Sequence, residues 1–281
     1  MRAARYYGKE DIRIEDVEVA ECGEGQVRVA PAYVGICGTD LHEYLGGPTF
    51  APVEPHPISG DTIPIVLGHE FSGTITEVGP GVSQFKPGQH VVLAETVPDS
   101  TVLVLGGGPI GLAVVQCLVA LKTKKIIMSE VSKTRQRFAR EFGAHHVLCP
   151  KTYDLVAISK ELSGKDGPDV VFDCAGVPAS LVTACKAVKA RGTVVNVAIW
   201  EREVPFQPNM LVFKEAHYTA VLGYQREDFQ AVIDHLAKGT LKPEKMITST
   251  IQLDNVVEGG IKALIKDKES HVKILVEVGG E

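Results

Sequence analysis

A glycine-rich turn between an apolar run and a helical pattern constrains the fold of this chain more than any other feature. Residues 102–105 are apolar, residues 106–111 read GGGPIG, and residues 112–121 repeat apolar side chains at helical spacing. This strand, turn and helix are typical of a dinucleotide-binding unit, in which the glycines allow the turn, the approach of a pyrophosphate and the packing of the helix on the strand. The pyrophosphate would lie at the helix N-terminus. The predicted cofactor contacts in the turn are Gly106, Gly108, Pro109, Ile110 and Gly111.

A second apolar run follows and ends in Glu130, near the spacing at which a carboxylate accepts hydrogen bonds from the adenosine ribose. A carboxylate there repels a 2′-phosphate, so we expect NAD rather than NADP as the cofactor. Lys133 and Arg135 temper this preference, because they are expected to flank the adenosine ribose or phosphate. The alternative is a solvated glutamate at a strand end beside an ordinary glycine turn.

Strand and helix patterns alternate through the rest of the region up to about residue 240, which predicts a parallel sheet. Ligands of such sheets bind at the carboxyl ends of the strands. Cys174 and Val197 stand at predicted strand ends and are therefore expected along the cofactor crevice. We interpret Cys174 as a packing residue rather than a nucleophile, since the sequence offers it no activating base.

Composition excludes several other classes of function. A length of 281 residues suits two domains, and a net charge of −6 without a basic block argues against nucleic acid as a partner. No apolar run approaches a membrane span, and the N-terminus lacks the apolar core of a signal peptide. The six cysteines form no C-x-x-C pair, so neither a disulfide framework nor a cysteine-only zinc knot is predicted. We expect a cytoplasmic protein.

Two segments of the β-rich first hundred residues carry metal-ligand chemistry. They are GICGTDLH at 35–42 and GHEFSG at 68–73. A catalytic zinc needs three protein ligands and an open position, and Cys37, His69 and Glu70 offer a thiolate, an imidazole and a carboxylate. Spacing alone leaves open a purely structural role for all three. The loop 46–64 between the segments is either part of a substrate mouth or a flexible surface excursion.

Together, GICGTDLH, the run GHEFSGTITEVGPGVSQFKPGQHVV at 68–92 and LGGGPIGL at 105–112 resemble the zinc-dependent medium-chain dehydrogenase/reductase family, in its 2,3-butanediol and sorbitol dehydrogenase branch. The resemblance covers nearly the whole chain. It implies an α/β fold, a Rossmann doubly wound parallel sheet inserted in a discontinuous, truncated, GroES-like β-rich catalytic domain. The implied domains are 1–100 (catalytic), 101–240 (dinucleotide-binding) and 241–281 (return to the catalytic domain).

The resemblance also implies roles for residues. Cys37 and His69 would bind a catalytic zinc, and Glu70 would be either its third ligand or a close partner of the ligands. The remaining implied roles are an alcohol-proton acceptor at Thr39, an orienting carboxylate at Asp40, a proton relay at His42 and a nicotinamide contact at Leu222. The implied reaction transfers a hydride from a small secondary alcohol, diol or polyol to NAD, with the zinc favouring the alkoxide. By analogy the chain would form a homodimer or homotetramer.

One departure from the family is large. Family members continue after the GQHVV motif through a lobe whose four cysteines bind a structural zinc, whereas this chain passes from Glu95 almost directly to the strand at 101. We therefore expect one catalytic zinc and no structural zinc, with Glu95 a conceivable substitute ligand. Two alternatives stay open: a remnant that binds NAD(H) without turnover, and a zinc-independent reductase that prefers NADPH.

Overall fold

The computed structural model describes residues 1–56, 60–82, 100–200, 202–223, 225–267 and 270–278. The chain divides into two compact units, and both chain ends belong to the same one. The first unit is Met1–His90 with Ile247–Glu281, and the second is Val91–Met246. None of the helices in the described part of the chain is long and apolar enough to cross a membrane.

The elements in chain order are β1 (Arg2–Gly8), β2 (Asp11–Asp16), β3 (Val27–Gly35), α1 (Gly38–Gly46), β4 (Ile65–Val66), β5 (Glu70–Val78), β6 (Thr101–Leu105), α2 (Pro109–Ala120), β7 (Lys125–Ser129), α3 (Lys133–Glu141), β8 (His146–Leu148), α4 (Leu155–Leu162), β9 (Val170–Asp173), α5 (Pro178–Ala187), β10 (Thr193–Asn196), α6 (Asn209–Val212), β11 (His217–Ala220), α7 (Arg226–Ala237), β12 (Ile247–Gln252), α8 (Ala263–Lys266) and β13 (Lys273–Glu277). A 3₁₀ turn at Pro243–Met246 precedes β12, and another at Leu253–Asn255 leads into a π-helical segment, Val256–Lys262.

Two sheets form the first unit. One is antiparallel in the order β2-β1-β4, and the other has the order β12-β13-β3-β5. The central strand β13 alternates between half-buried and buried residues, with Ile274 and Val276 pointing into the core. Those two side chains pack with Ile36, Tyr44, Val256 and Ile261. Strand β13, from the C-terminal part of the chain, thus lies in the same sheet as β3 and β5 from the N-terminal part and pairs directly with β3.

The second unit is built on six parallel strands in the order β11-β10-β9-β6-β7-β8. The chain runs outward from β6 to β8, returns to β9 on the other side of β6, and continues to β11. This reversal between β6 and β9 is the topological switch point of a doubly wound sheet. The innermost strands are apolar on both faces, as helices on both sides of a parallel sheet require, and Leu103, Val104 and Ile127 are fully buried.

Most predicted elements are present with small changes in their limits. The helical patterns at 132–144 and 226–239 are predicted to end at Gly143 and Gly239, and helices α3 and α7 end within two residues of these glycines. The apolar run TVVNVAIW at 193–200 predicts a fifth strand that is longer than the observed one. Strand β10 ends at Asn196, because the amides of Val197 and Ala198 both donate to the Asp173 carbonyl, at 2.9 and 3.1 Å. Helix α1 at residues 38–46 was not predicted from the sequence.

A lysine stabilises the C-terminal end of α5 in the second unit. Lys214 Nζ donates to the carbonyl oxygens of Cys185, Lys186 and Val188 at 2.8, 2.7 and 2.7 Å. These are carbonyls at a helix end, where no intrahelical donor reaches them and where a cation is favoured.

We expect Lys214→Met to lower the free energy of unfolding by about 2 kcal/mol, the usual size of hydrogen bonds that involve a charged group. Urea unfolding measures this change. Lys186→Met is the matched control, since the Lys186 side chain is exposed on the same helix. Equal stability of the two variants would contradict the role given to Lys214.

Candidate functional site

The first part of the candidate site is the N-terminus of α1, where Cys37 is the residue that precedes the helix. The Asp40 carboxylate accepts a hydrogen bond from the Cys37 amide at 2.8 Å and so caps the first turn. This cap explains why GICGTDLH forms a helix start rather than an irregular glycine turn.

The second part is the start of β5, where His69 and Glu70 are adjacent. Ligand atoms of Cys37, His69 and Glu70 all lie within 4.8 Å of one another. The pKa of the Cys37 thiol is raised above its usual value, mainly by burial and further by the charge of Glu70, although hydrogen bonds from Thr39 oppose this shift. Sulfur, imidazole nitrogen and carboxylate oxygen at this separation fit the three protein ligands of a catalytic zinc.

Two further predicted residues contact His69. Its Nδ1 atom lies 3.6 Å from Asp40 Oδ1, and its Nε2 atom lies 3.1 Å from Thr39 Oγ1. Asp40 is buried, and burial raises its pKa, while the Cys37 amide and the charge of His69 lower it. A carboxylate against Nδ1 directs Nε2 toward a metal, the usual arrangement of a histidine ligand. His42 follows Thr39 by three residues on α1 and so shares its face of the helix.

Sequence reasoning missed Lys273, which reaches this cluster from the C-terminal strand. Lys273 Nζ forms an ion pair with Glu70 Oε2 and donates to the Ile36 carbonyl at 3.2 Å. The two partners of the ion pair are 203 residues apart in the chain. The one available signal was a lysine at the start of the alternating segment KILVE, and a lysine at a strand start does not indicate which carboxylate it pairs with.

Glu43 was also missed. Its buried carboxylate accepts hydrogen bonds from the backbone amides of residues Thr49, Phe50 and Ala51. These bonds hold the start of the long loop against α1, so this part of the loop is an anchored segment rather than a flexible excursion. Residues 57–59 of the loop, and Glu95 with the junction around it, lie outside the described residues.

The candidate cofactor site is the glycine turn between β6 and α2. Gly106 has a φ of +94°, a conformation that favours glycine. A Cβ built on Gly111 would lie 1.8 Å from the Gly106 carbonyl oxygen, whereas one built on Gly108 meets nothing within 4 Å. Gly111 therefore permits the packing of α2 on the turn, and Gly108 leaves open space for a pyrophosphate. Pro109 is the first residue of α2 and lacks the amide hydrogen that a helix start leaves unpaired.

A cavity of about 410 Å³ adjoins this turn, and five of the predicted contacts line it. They are Gly106, Gly108, Glu130, Arg135 and Cys174. The other five predicted contacts are not among the residues that line this cavity: Pro109, Ile110 and Gly111 lie in the first turn of α2, Val197 follows β10, and Leu222 follows β11 with 88% of its surface exposed.

Glu130 is buried beside the glycine turn. Its carboxylate accepts hydrogen bonds from the amides of Gly107 at 2.6 Å and Ser132 at 2.7 Å. It is therefore an ordered carboxylate in the cavity wall and not a solvated strand end. Burial, followed by the charge of Asp173, raises the pKa of Cys174 to about 12. Its thiol stays protonated near neutral pH, in agreement with a packing role.

Comparison with known proteins gives matches along most of the chain. The family described as "Alcohol dehydrogenase GroES-like domain" matches residues 23–126, and "Zinc-binding dehydrogenase" matches residues 109–238. The (R,R)-butanediol dehydrogenase of Bacillus subtilis (strain 168) is 36% identical over 98% of this chain and 99% of its own length. That of Neisseria gonorrhoeae (strain ATCC 700825 / FA 1090) is 33% identical with the same coverage of both chains. The crystal structure of 2R,3R-butanediol dehydrogenase from Bacillus subtilis superposes with a TM-score of 0.89, covers 99% of both chains and is 33% identical.

The alignment with the Bacillus subtilis (R,R)-butanediol dehydrogenase also gives a minimum length for the segment that this chain lacks. It runs over 346 positions, while this chain has only 281 residues, so at least 65 positions face a gap in this chain. Because both proteins are covered almost to their ends, the gaps are internal.

The predicted fold class and the predicted family are confirmed by these matches, since they extend across both units and nearly the full length of the relatives. The chain belongs to the zinc-dependent medium-chain dehydrogenase/reductase family and is an alcohol or polyol dehydrogenase within it.

Proposed function

We propose that this chain oxidises a vicinal secondary diol, with butane-2,3-diol as the reference substrate, and reduces NAD in the same reaction. One observation carries the proposal: the ligand atoms of Cys37, His69 and Glu70 lie within 4.8 Å of one another in a chain whose relatives are named butanediol dehydrogenases. Those three residues would hold one catalytic zinc. When bound, zinc supplies a Lewis acid that lowers the pKa of a substrate hydroxyl.

The residues around the ligands would carry the proton. Thr39 Oγ1 would accept it from the substrate hydroxyl, since it lies 3.1 Å from a ligand nitrogen. His42 would receive it from there and release it toward solvent, as the family resemblance implies. Asp40 would keep the His69 ring oriented through Nδ1. These tasks need a hydroxyl, an imidazole and a carboxylate, and α1 supplies all three within residues 39–42.

The dinucleotide would bind along the glycine turn and the cavity beside it. Gly108 would face the pyrophosphate, and Glu130 would accept hydrogen bonds from the adenosine ribose. A buried carboxylate at that position repels a 2′-phosphate, which supports NAD over NADP. Arg135 would lie against the adenosine side of the cofactor. When bound, the nicotinamide ring supplies the acceptor of the hydride.

Steady-state rates of NADH formation with butane-2,3-diol, with and without a strong chelator, test the proposal. We expect turnover that the chelator abolishes and added Zn²⁺ restores, and slower turnover with NADP. A second candidate, a protein that binds NAD(H) without turnover, is favoured by the 65 or more missing positions. NADH binding without metal-dependent turnover would support that candidate and contradict the first. Activity that is indifferent to the chelator and faster with NADPH would indicate a zinc-independent reductase.

Removal of the Thr39 hydroxyl tests the proton path. We expect Thr39→Val to lower kcat by about 100-fold, the lower range of general acid–base contributions, while metal content is unchanged. Thr39→Ser is the matched control and should keep most of the rate, because it retains the hydroxyl. Metal analysis and initial rates with butane-2,3-diol make the measurement. A Thr39→Val variant with an undiminished kcat would remove Thr39 from the mechanism.

The assembly and location of the protein complete the proposal. Strand β11 is the edge of the six-stranded sheet, and all four of its residues are exposed. An uncovered edge strand is a template for pairing with another chain, which supports a homodimer, or a homotetramer built from two dimers. Size-exclusion chromatography with light scattering measures this state. A reducing compartment such as the cytoplasm suits an enzyme whose metal ligand is a free thiol.

A further inference from the structure

The carboxylate of Glu70 has two neighbours that compete for its oxygens. On one side lie Cys37 and His69, and on the other lies Lys273. Lys273 is held firmly, because its ammonium group contacts both Glu70 Oε2 and the Ile36 carbonyl, and its side chain is only 16% exposed. The ion pair is therefore partly shielded from solvent, with the Glu70 side chain 33% exposed, unlike the fully exposed surface pairs that contribute little.

Strand register creates the space in which this ion pair forms. Gly35 of β3 lies opposite Glu70 of β5 on one side and opposite Leu275 of β13 on the other. A Cβ built on Gly35 would lie 2.8 Å from Glu70 Oε2 and 3.5 Å from Lys273 Cδ. A side chain at position 35 would therefore displace the carboxylate from its lysine partner.

The number of oxygens that Glu70 offers decides how many positions remain at a metal. A carboxylate can bind a metal through one oxygen or through both. A catalytic zinc with three protein ligands works because its fourth position is open to water or substrate. If both oxygens of Glu70 coordinated, together with Cys37 and His69, they would take up this position.

We propose that Lys273 is a positioning residue that holds Oε2 of Glu70 and restricts this ligand to its other oxygen. The ion pair leaves Oε1 as the oxygen that can coordinate, so a coordination position stays open for the substrate. This inference rests on the proposed zinc site, and it gives the C-terminal strand a direct part in that site.

The test uses the full-length protein loaded with Co²⁺ in place of zinc, since the visible absorption of Co²⁺ reports its coordination number. We expect intense bands of a four-coordinate ion in the wild type and in Lys273→Arg, which retains the ion pair. In Lys273→Met the bands should weaken and shift as a fifth donor binds, and kcat should fall by about tenfold at full metal content. A residue with only a structural role would lower thermal stability without changing the spectrum.

Two additional variants keep the test decisive. Gly35→Ala displaces Glu70 Oε2 while Lys273 is still present, so its Co²⁺ spectrum should change in the same direction, even if Lys273→Met does not fold. Lys262→Met is the control, because Lys262 pairs with Glu258 one turn earlier in its own helical segment. An unchanged Co²⁺ spectrum in both Lys273→Met and Gly35→Ala overturns the inference and leaves the zinc site intact. A wild-type protein that binds neither Co²⁺ nor Zn²⁺ overturns the proposed function itself.

Discussion

Cys37→Ser is expected to lose its bound zinc, and its kcat/KM should fall by at least about 100-fold. Removal of a residue that only orients a metal ligand already costs up to about 100-fold, and Cys37 is itself a proposed ligand. Serine has nearly the same shape, but its hydroxyl is not ionised at neutral pH and is a harder donor than a thiolate. The two remaining donors, His69 and Glu70, leave the metal short of the three protein ligands that a catalytic zinc needs.

Metal analysis after dialysis and the rate of NADH formation measure both losses in the same sample. Cys22→Ser is the matched control, because Cys22 belongs to the same unit and lies outside the ligand cluster. It should retain wild-type zinc content and rate, and NADH binding should survive in both variants. A Cys37→Ser protein with wild-type zinc content and rate would refute the ligand assignment.

Gly111→Ala is expected to lower the free energy of unfolding by about 3 kcal/mol, at the upper end of the usual cost of overpacking. The added methyl group would lie 1.8 Å from the Gly106 carbonyl oxygen, which is a backbone atom and has no rotamer to change. Helix α2 would have to shift away from the turn, and the dinucleotide site would shift with it. Urea unfolding and NADH titration measure the two effects.

Gly108→Ala separates binding from folding at the same turn. A Cβ on Gly108 meets no atom within 4 Å, and the φ of −67° suits any residue, so we expect unchanged stability. NADH affinity should nevertheless fall by about tenfold, or 1.4 kcal/mol, because the methyl group occupies the space left for the pyrophosphate. Equal NADH affinity in this variant and the wild type would place the cofactor elsewhere.

The doubly wound unit was predictable because its signals are local. The GGGPIG turn, the apolar run before it and the helical pattern after it each lie within about a dozen residues, and strand–helix alternation leaves few topologies for a parallel sheet. The limits of single elements were less predictable. Strand β10 ends at Asn196 because the amides of Val197 and Ala198 both donate to the Asp173 carbonyl. This contact lies between neighbouring strands, and the residues after Asn196 carry no local signal for it.

The metal-ligand residues were predictable as chemical types and not as a constellation. Cys37 and His69 stand 32 positions apart, and their spacing alone favoured a purely structural role over a shared metal. The capped start of α1 and the register of β3 with β5 place these residues together, with the ligand atoms of Cys37, His69 and Glu70 within 4.8 Å of one another. The anchoring of the loop by Glu43 could not be predicted, since backbone amides carry no sequence signal.

By itself the sequence determined the fold of the dinucleotide unit and which side chains can ligate a metal, because turn chemistry, hydrophobic period and ligand type are properties of short segments. The tertiary structure alone decided what surrounds those ligands. The contact of Lys273 with Glu70 joins residues 203 positions apart through the pairing of β13 with β3 and of β3 with β5. Strand register sets such a contact, and register is a property of the assembled sheet that depends on packing along the whole length of every strand in it.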